Sequence, residues 1–328
     1  MLDVQAKFAV PLVDLGARDR RYAGIYTPEP ELDAAREGIT AQFLEDSAAY
    51  HERYAASAHW QTMFERVFAH VGMPRRVDPD ILDIGTGSGV NTVVPLLALL
   101  PHARIVGTDL SPQLLAMLRG YVLTHDLADR VACICTDATR DFFRPESVDF
   151  ATGGSILHHL IDPIRALKAV RRTLRPGGMA VFFEPFEGYG VIRAAFTLIL
   201  NRSAAGEPGL APSTAAFLRA MVRDHEVRAG RDKSDPLYLH LDDKWLFTRT
   251  YIAEAAKEAG FRSVEVIPMY APAGQYRQGV ANLLAMGGPY EGPALPGWAW
   301  DIVDTFDACF SDDMKGEATL ESGIAFLT

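Results

Sequence analysis

The run Ile81-Leu82-Asp83-Ile84-Gly85-Thr86-Gly87-Ser88-Gly89-Val90-Asn91-Thr92 constrains this chain more than any other stretch. Three apolar residues around one aspartate read as a buried strand, and three alternating glycines read as a tight turn. A helix is predicted from Val93 to Leu100. Glycine suits such a turn because it tolerates φ > 0 and lets the backbone come close to a ligand. The helix that follows points its free N–H groups and positive dipole end back at the turn. The stretch has the form of a nucleotide-binding turn, and the rest of the chain must say which nucleotide.

From Asp80 onward the pattern alternates. Strands are predicted at Ile81–Ile84, Arg104–Thr108, Val131–Thr136, Val148–Thr152 and Met179–Phe183. One helix starts at Pro112, with Ser111 as its N-cap, and runs to Leu123; another spans about Asp162 to Leu174. Arg175-Pro176-Gly177-Gly178 reads as a turn. Strands separated by single helices imply right-handed crossovers and a mostly parallel sheet. After Glu184 the rhythm breaks. Tyr189–Leu200 and Ser213–Arg228 read as helices, the second capped by Ser213, and Arg231–Asp243 as polar loop. It resumes with a helix at Thr250–Ala259, Gly260 as its C-cap, and a strand at Ser263–Ile267. A second insertion, Pro272–Lys315, is rich in Gly and Pro and holds a helix around Trp298–Phe310. Gly323–Leu327 is a terminal strand able to close the sheet. Ahead of this core, residues 1–40 read as an irregular arm, Ala41–Gly72 as one or two helices and 74–79 as a linker.

A net charge of −10 over 328 residues argues against a nucleic-acid-binding surface. The one basic cluster, Arg165, Lys168, Arg171, Arg172 and Arg175, reads as a solvated helix face. Three cysteines are too few for a disulfide framework. Cys133 and Cys135 share one face of a strand and read as core rather than as metal ligands, so no metal site is expected. Met1–Val10 lacks the pattern of a signal peptide, and the apolar run Val191–Leu200 carries Arg193 and is far short of a membrane span. A cytoplasmic chain without a membrane anchor is expected.

Spacing separates two kinds of glycine turn. The dinucleotide fingerprint is G-x-G-x-x-G, but here Val90 stands where its third glycine belongs. Asp83 lies inside the strand, where it would repel a pyrophosphate yet can orient the turn or pair with an ammonium group. At this point the resemblance is plain. Asp83-Ile84-Gly85-Thr86-Gly87-Ser88-Gly89 resembles motif I of the class I S-adenosylmethionine-dependent methyltransferases. Thr108-Asp109-Leu110-Ser111 resembles the end of strand two in that family, Cys135-Thr136-Asp137-Ala138 its segment after strand three, Val148 to Leu160 its strand-four motif, and Leu174 to Gly178 its turn before strand five. The likeness covers roughly residues 78–185, with a weaker echo at 249–268.

The resemblance implies an α/β fold: a Rossmann-like, seven-stranded, mostly parallel sheet with helices on both faces, an N-terminal helical lid and a helical insertion after strand five. It divides the chain into an arm and lid (1–75), a cofactor-binding core (76–185), an acceptor-shaping insertion (186–248) and the end of the core with a second insertion (249–328). S-adenosylmethionine is the implied cofactor, held by Asp83, Gly85, Thr86, Gly87, Gly89, Asp109, Leu110, Asp137, Ala138 and Ser155. In the family Asp109 would bind ribose hydroxyls and Asp137 the adenine amino group.

The segment Ser155-Ile156-Leu157-His158-His159 resembles the branch acting on small metabolites. His158 or His159 is a candidate general base, and their bland role is to pack the start of the next helix. Glu184, at the carboxyl end of strand five, is a second candidate base. Tyr54 is a candidate catalytic residue from the lid, where Tyr50, His51, His59 and Trp60 also lie; Tyr189, Tyr238, His240 and Trp245 are candidates for the acceptor pocket. The expected reaction is in-line methyl transfer to oxygen or nitrogen of a small-molecule acceptor. S-methylation of a thioether such as methionine, which needs no base, and a catalytically silent cofactor-binding subunit stand as alternatives. Association into a homo-oligomer is left open.

Overall fold

The computed structural model describes residues 3–31, 59–269, 272–286 and 294–328. Nine strands form one sheet: β1 (Leu12–Asp14), β2 (Ile25–Pro28), β3 (Asp80–Ile84), β4 (Arg104–Asp109), β5 (Val131–Cys135), β6 (Val148–Gly154), β7 (Leu174–Pro185), β8 (Ser263–Pro268) and β9 (Glu321–Leu327). Their spatial order is β1-β2-β5-β4-β3-β6-β7-β9-β8. From β2 through β7 every pairing is parallel, whereas β1, β9 and β8 join antiparallel. After β1 and β2, which form one edge, the chain crosses to β3, works outward through β4 and β5, then returns to lay β6 on the other side of β3. Order therefore reverses between β3 and β6, and the crevice at their carboxyl ends is where open α/β sheets bind ligands.

All five residues of β3 are buried, as a central parallel strand covered on both faces requires. Helix α1 (His59–Val71) supplies Trp60, Met63, Phe64, Val67 and Phe68 to one face. Helices α2 (Val93–Leu99) and α3 (Pro112–Thr124) pack on the same face, α3 through Leu115, Leu118 and Val122. Each such leucine contributes about 1.5–3 kcal/mol on burial. On the opposite face α4 (Pro163–Thr173) buries Ala166, Leu167 and Val170, and α7 (Arg249–Ala259) buries Ile252, Ala255 and Ala256. Thr248 caps the start of α7, and Gly260 closes it at φ 86°, a left-handed value that glycine adopts without Cβ strain.

A third core lies beyond the sheet. Here α5 (Tyr189–Ala204), α6 (Pro212–Arg228), α8 (Gln275–Met286) and α9 (Gly297–Cys309) pack through Phe196, Ile199, Leu218, Tyr276 and Val303. The two insertions thus share one apolar core. A short helix, α10 (Asp312–Glu317), leads into β9.

Several expectations need correction. The sheet has nine strands rather than seven, because the segment read as an irregular arm contributes β1 and β2 and extends the sheet past β5. These strands are only three and four residues long, too short for periodicity to register. Ser213 does not cap α6: Ala211 holds that position with no side-chain bond, and Pro212 opens the helix. Arg175–Gly178 is a bulge inside the long β7, whose register against β6 jumps from Leu174 opposite Val148 to Met179 opposite Phe150. Arg165, Lys168 and Arg172 do line an exposed helix face, but Arg175 lies beyond α4 and binds Asp80 and Asp149. The Gly- and Pro-rich insertion also holds α8. Tyr50, His51 and Tyr54 fall outside the described residues.

Beneath the sheet, the Asp80 carboxylate gathers three cations: Lys7 at 2.8 Å, Arg104 at 2.9 Å and Arg175 at 3.2 Å. Burial alone would raise this carboxyl; hydrogen bonds from Arg104 and Lys7 overcome it and hold the group below its usual range. The cluster ties the N-terminal segment to the starts of β3, β4 and β7.

Candidate active site

The turn after β3 is built as its glycines demand. Gly85, Gly87 and Gly89 have φ values of 64°, 54° and 80°. A Cβ on Gly85 would also stand 2.6 Å from the Ile156 side chain, so the turn and the loop after β6 fit only without it. Asp83 is fully buried below the turn and accepts a hydrogen bond from Thr92 Oγ1, joining the strand to the start of α2. Burial, followed by repulsion from Asp109, pushes its carboxyl up to about 7 against hydrogen bonds that lower it.

Asp109 ends β4. Its Oδ2 accepts the Gly87 amide at 2.8 Å and its Oδ1 accepts the Ser111 amide at 2.7 Å. Burial raises this carboxyl, and those amides oppose the rise. Ser111 Oγ in turn accepts the Leu114 amide, capping α3 as its sequence implies. One carboxylate therefore locks the glycine turn, the end of β4 and the start of α3 around a common cleft.

That cleft, with about 1010 Å3 of empty space including its mouth, is lined by Gly85, Thr86, Gly87, Asp109, Leu110 and Ala138 at one end and by Ser155, Ile156, His159, Leu160, Asp242 and Lys244 at the other. Ser155 holds φ 60° and donates its amide to the Phe183 carbonyl at 3.0 Å, which turns the chain sharply into the cleft wall. Asp83, Gly89 and Asp137 do not line it. Asp137 instead accepts the Thr139 amide at 2.7 Å within its own loop.

Glu184 and His158 also lie behind the wall rather than in it. The Glu184 carboxylate is fully buried and accepts the amides of Ile156 (3.1 Å), Leu157 (2.7 Å) and His158 (3.2 Å). His158 Nδ1–H donates to Glu184 Oε2 at 2.6 Å, and its Nε2–H faces Asp243 Oδ1 at 3.3 Å. Burial would lower this imidazole, but Glu184 and then Asp243 carry it up to about 9. His158 is thus an imidazolium held between two carboxylates, with no lone pair to act as a base.

His159 is the opposite case. Its ring lines the cleft, and its Nδ1–H donates to the Asp242 carbonyl at 2.9 Å. Burial, then the neighbouring His158 charge, pushes it down to about 3. The two adjacent rings, 4.1 Å apart, are driven to opposite protonation states by their partners. Nothing in the doublet His-His separates them; the difference arises from which ring meets Glu184.

The wall formed by Leu241–Lys244 belongs to the polar loop between the insertion and α7. Lys244 donates its backbone amide to the His158 carbonyl at 2.8 Å, which fastens this loop over the histidines. A charged pair in a loop has no periodic signature, so the sequence alone does not single out Asp243. Trp245 packs in the core against Phe247 and Tyr251, and the Tyr238 hydroxyl donates to the Val227 carbonyl. Tyr189 rests against His225, and His240 lies on the short turn Pro236–His240. None of these four lines the cleft.

Sheet order, glycine turn and acidic strand end together define a nucleotide-binding α/β domain of the doubly wound type. A family model described as a methyltransferase domain matches residues 82–182, which span the turn, the Asp109 strand end and the histidine loop. Over those residues the chain is similar to a methyltransferase domain. Over 104 residues the chain is 34% identical to an uncharacterized 37.1 kDa protein in transposon TN4556 of Streptomyces fradiae, covering 32% of this chain and 29% of that protein. Over 108 residues it is 30% identical to demethylmenaquinone methyltransferase of Chlorobaculum parvum, covering 33% and 42% respectively. The chain thus spans less than half of these relatives. Among solved structures, phosphoethanolamine N-methyltransferase 2 of Haemonchus contortus, in complex with phosphomonomethylethanolamine and S-adenosylhomocysteine, aligns over 98% of this chain and 68% of its own. The TM-score is 0.53 at 18% identity, a likeness of fold.

Proposed function

We propose that this chain is an S-adenosylmethionine-dependent methyltransferase acting on a hydroxyl or amine of a small molecule, with His159 as the general base. The observation that carries the reading is the sharing of one cleft by the glycine turn, the Asp109 carboxylate and a neutral histidine. The cofactor fits the donor set. Asp109 spends acceptor positions on backbone amides, yet a carboxylate offers about four and keeps capacity for a ribose hydroxyl. Gly85, Thr86 and Gly87 leave open backbone for the amino-acid end, while Leu110 and Ala138 supply apolar surface for a base. When bound, S-adenosylmethionine supplies an activated sulfonium methyl group.

The protein's share is to position, exclude water and accept a proton. A hydroxyl or amine turns strongly acidic as its heteroatom becomes positive, so a weak base such as His159 suffices. Glu184 does not serve as a base, since its oxygens are committed to three amides and to His158. The net charge of −10 favours a small acceptor over nucleic acid. A cytoplasmic enzyme fits this reading, and among the described residues no helix is long and apolar enough to cross a membrane.

Release of S-adenosylhomocysteine from the full chain, assayed with phenols, catechols, amines and thioethers, tests the proposal. Turnover that falls at least tenfold in His159→Gln supports it, on the scale of general-base catalysis. Unchanged turnover in that variant would favour a thioether acceptor and no base. Absence of release despite cofactor binding would mark a silent subunit. Binding of NADH in place of S-adenosylmethionine would overturn the cofactor assignment. Asp109→Asn is expected to weaken S-adenosylhomocysteine roughly tenfold or more, the worth of one charge-assisted hydrogen bond.

A further inference from the structure

We propose that Asp243 is a positioning residue that fixes the tautomer of His159 and supplies the counter-charge when that ring takes up a proton. This rests on the assignment of His159 as base. Asp243 Oδ1 lies 3.2 Å from His159 Nδ1 and 3.3 Å from His158 Nε2. A carboxylate only accepts, as does the Asp242 carbonyl 2.9 Å from the same His159 nitrogen. The hydrogen bond to the carbonyl requires the proton on Nδ1 and the carboxylate charge beside it favours the proton there, which leaves the lone pair on Nε2, in a ring that lines the cleft. An acceptor O–H or N–H bond would break as the Nε2–H bond forms, and the proton would leave to solvent through the cleft.

The surroundings hold Asp243 ionised and in place. Arg228, itself buried, sets Nη1 3.3 Å from Asp243 Oδ2, grips Asp224 at 3.1 Å and donates to the Trp245 carbonyl at 3.2 Å. Burial would raise the Asp243 carboxyl, but His158, Arg228 and His159 hold it well below the usual range. His158, anchored by Glu184, sits on the far side of the same oxygen. A second imidazolium beside His158 would be repelled by it, and Asp243 is the group placed to offset that repulsion. The arrangement follows the logic by which a buried carboxylate orients a catalytic imidazole, where loss of the charge gives the wrong tautomer.

The same three residues, His158, His159 and Asp243, each offer one atom within 4.8 Å of the others, which is the spacing of a metal-ligand set. The two readings differ in the proton, because a metal on Nδ1 requires that nitrogen bare and Nε2 protonated. Nitrogen-15 NMR of the full chain labelled on histidine decides between them without any acceptor. The expected result is His159 as the Nδ1–H tautomer near neutral pH, shifting to a mixture in Asp243→Asn. Nε2–H in the wild type, or stoichiometric zinc binding that displaces the Nδ1 proton, would overturn the proposal. In the turnover assay Asp243→Asn should lower kcat about 10- to 100-fold with KM for S-adenosylmethionine unchanged, as loss of an outer-sphere partner does. Asp243→Glu should recover part of it, and His159→Gln should add no further loss. Wild-type kcat in Asp243→Asn would sink the proposal. Should the wild type itself release no S-adenosylhomocysteine, the methyltransferase reading fails, and the tautomer still reports on Asp243.

Discussion

Glu184 Oε2 and His158 Nδ1 stand 2.6 Å apart, both buried, and join the carboxyl end of β7 to the loop that follows β6. The same carboxylate collects three successive amides from that loop. The cleft wall formed by that loop is therefore shaped by one buried anion behind it. Glu184→Gln keeps the size but brings an NH2 group toward three N–H donors and leaves His158 without its closest counter-charge. Breaking a buried pair in this way costs about 3–5 kcal/mol. Chemical denaturation should report a loss of that order, and a change below 1 kcal/mol would show that the loop holds its shape without the anion.

The pH dependence of stability follows from the same cluster. His158 titrates near 9 in the fold against 6.5 for the free side chain, so its contribution is fully present below 6.5 and is lost as pH rises toward 9. Asp83, carried up to about 7, costs stability progressively as pH rises from 3.8 to 7. Lys233, lowered to about 8 by burial, acts in the opposite sense above pH 8. Between pH 6.5 and 8 the melting temperature should fall, by roughly 2–4 °C for each kcal/mol lost. A melting temperature that rises across this window would contradict the assignment of His158 as a buried cation.

Two glycine substitutions should move stability in opposite directions. Gly85→Ala puts a Cβ at φ 64° and 2.6 Å from Ile156, and should cost about 1–3 kcal/mol and weaken cofactor binding. Gly120→Ala, within α3 and with no atom near its Cβ, should stabilise by about 0.5–1 kcal/mol through helix propensity alone. Thermal melts with and without S-adenosylhomocysteine separate the two effects.

Asp80→Asn removes the charge on which Lys7, Arg104 and Arg175 converge. With the arginines part-exposed, a loss of about 2–4 kcal/mol is expected, toward the lower end for a broken buried pair. Asp19→Asn breaks the exposed pair with Arg21 and should leave the denaturation midpoint unchanged. Equal effects from the two variants would show that the buried hub carries no special weight.

Local pattern alone determined the turn, the alternation of strand and helix from Asp80 to Glu184, and the caps at Ser111 and Gly260. Each depends on neighbours within a few residues: glycines that must take positive φ, a hydroxyl one turn before an amide, apolar residues at fixed period. The nine-stranded edge, the shared core of the two insertions and the unequal histidines were decided only in three dimensions. Strand β1 is held by β2, and β2 by β5, where Ile25 pairs with Cys133 more than a hundred residues further along the chain. His158 and His159 look alike in sequence, and the fold sets one against Glu184 and the other against the Asp242 carbonyl. A protonation state is set by the charges and dipoles that surround a group, and those are brought from β7 and the loop ahead of α7, 26 and 83 residues away along the chain.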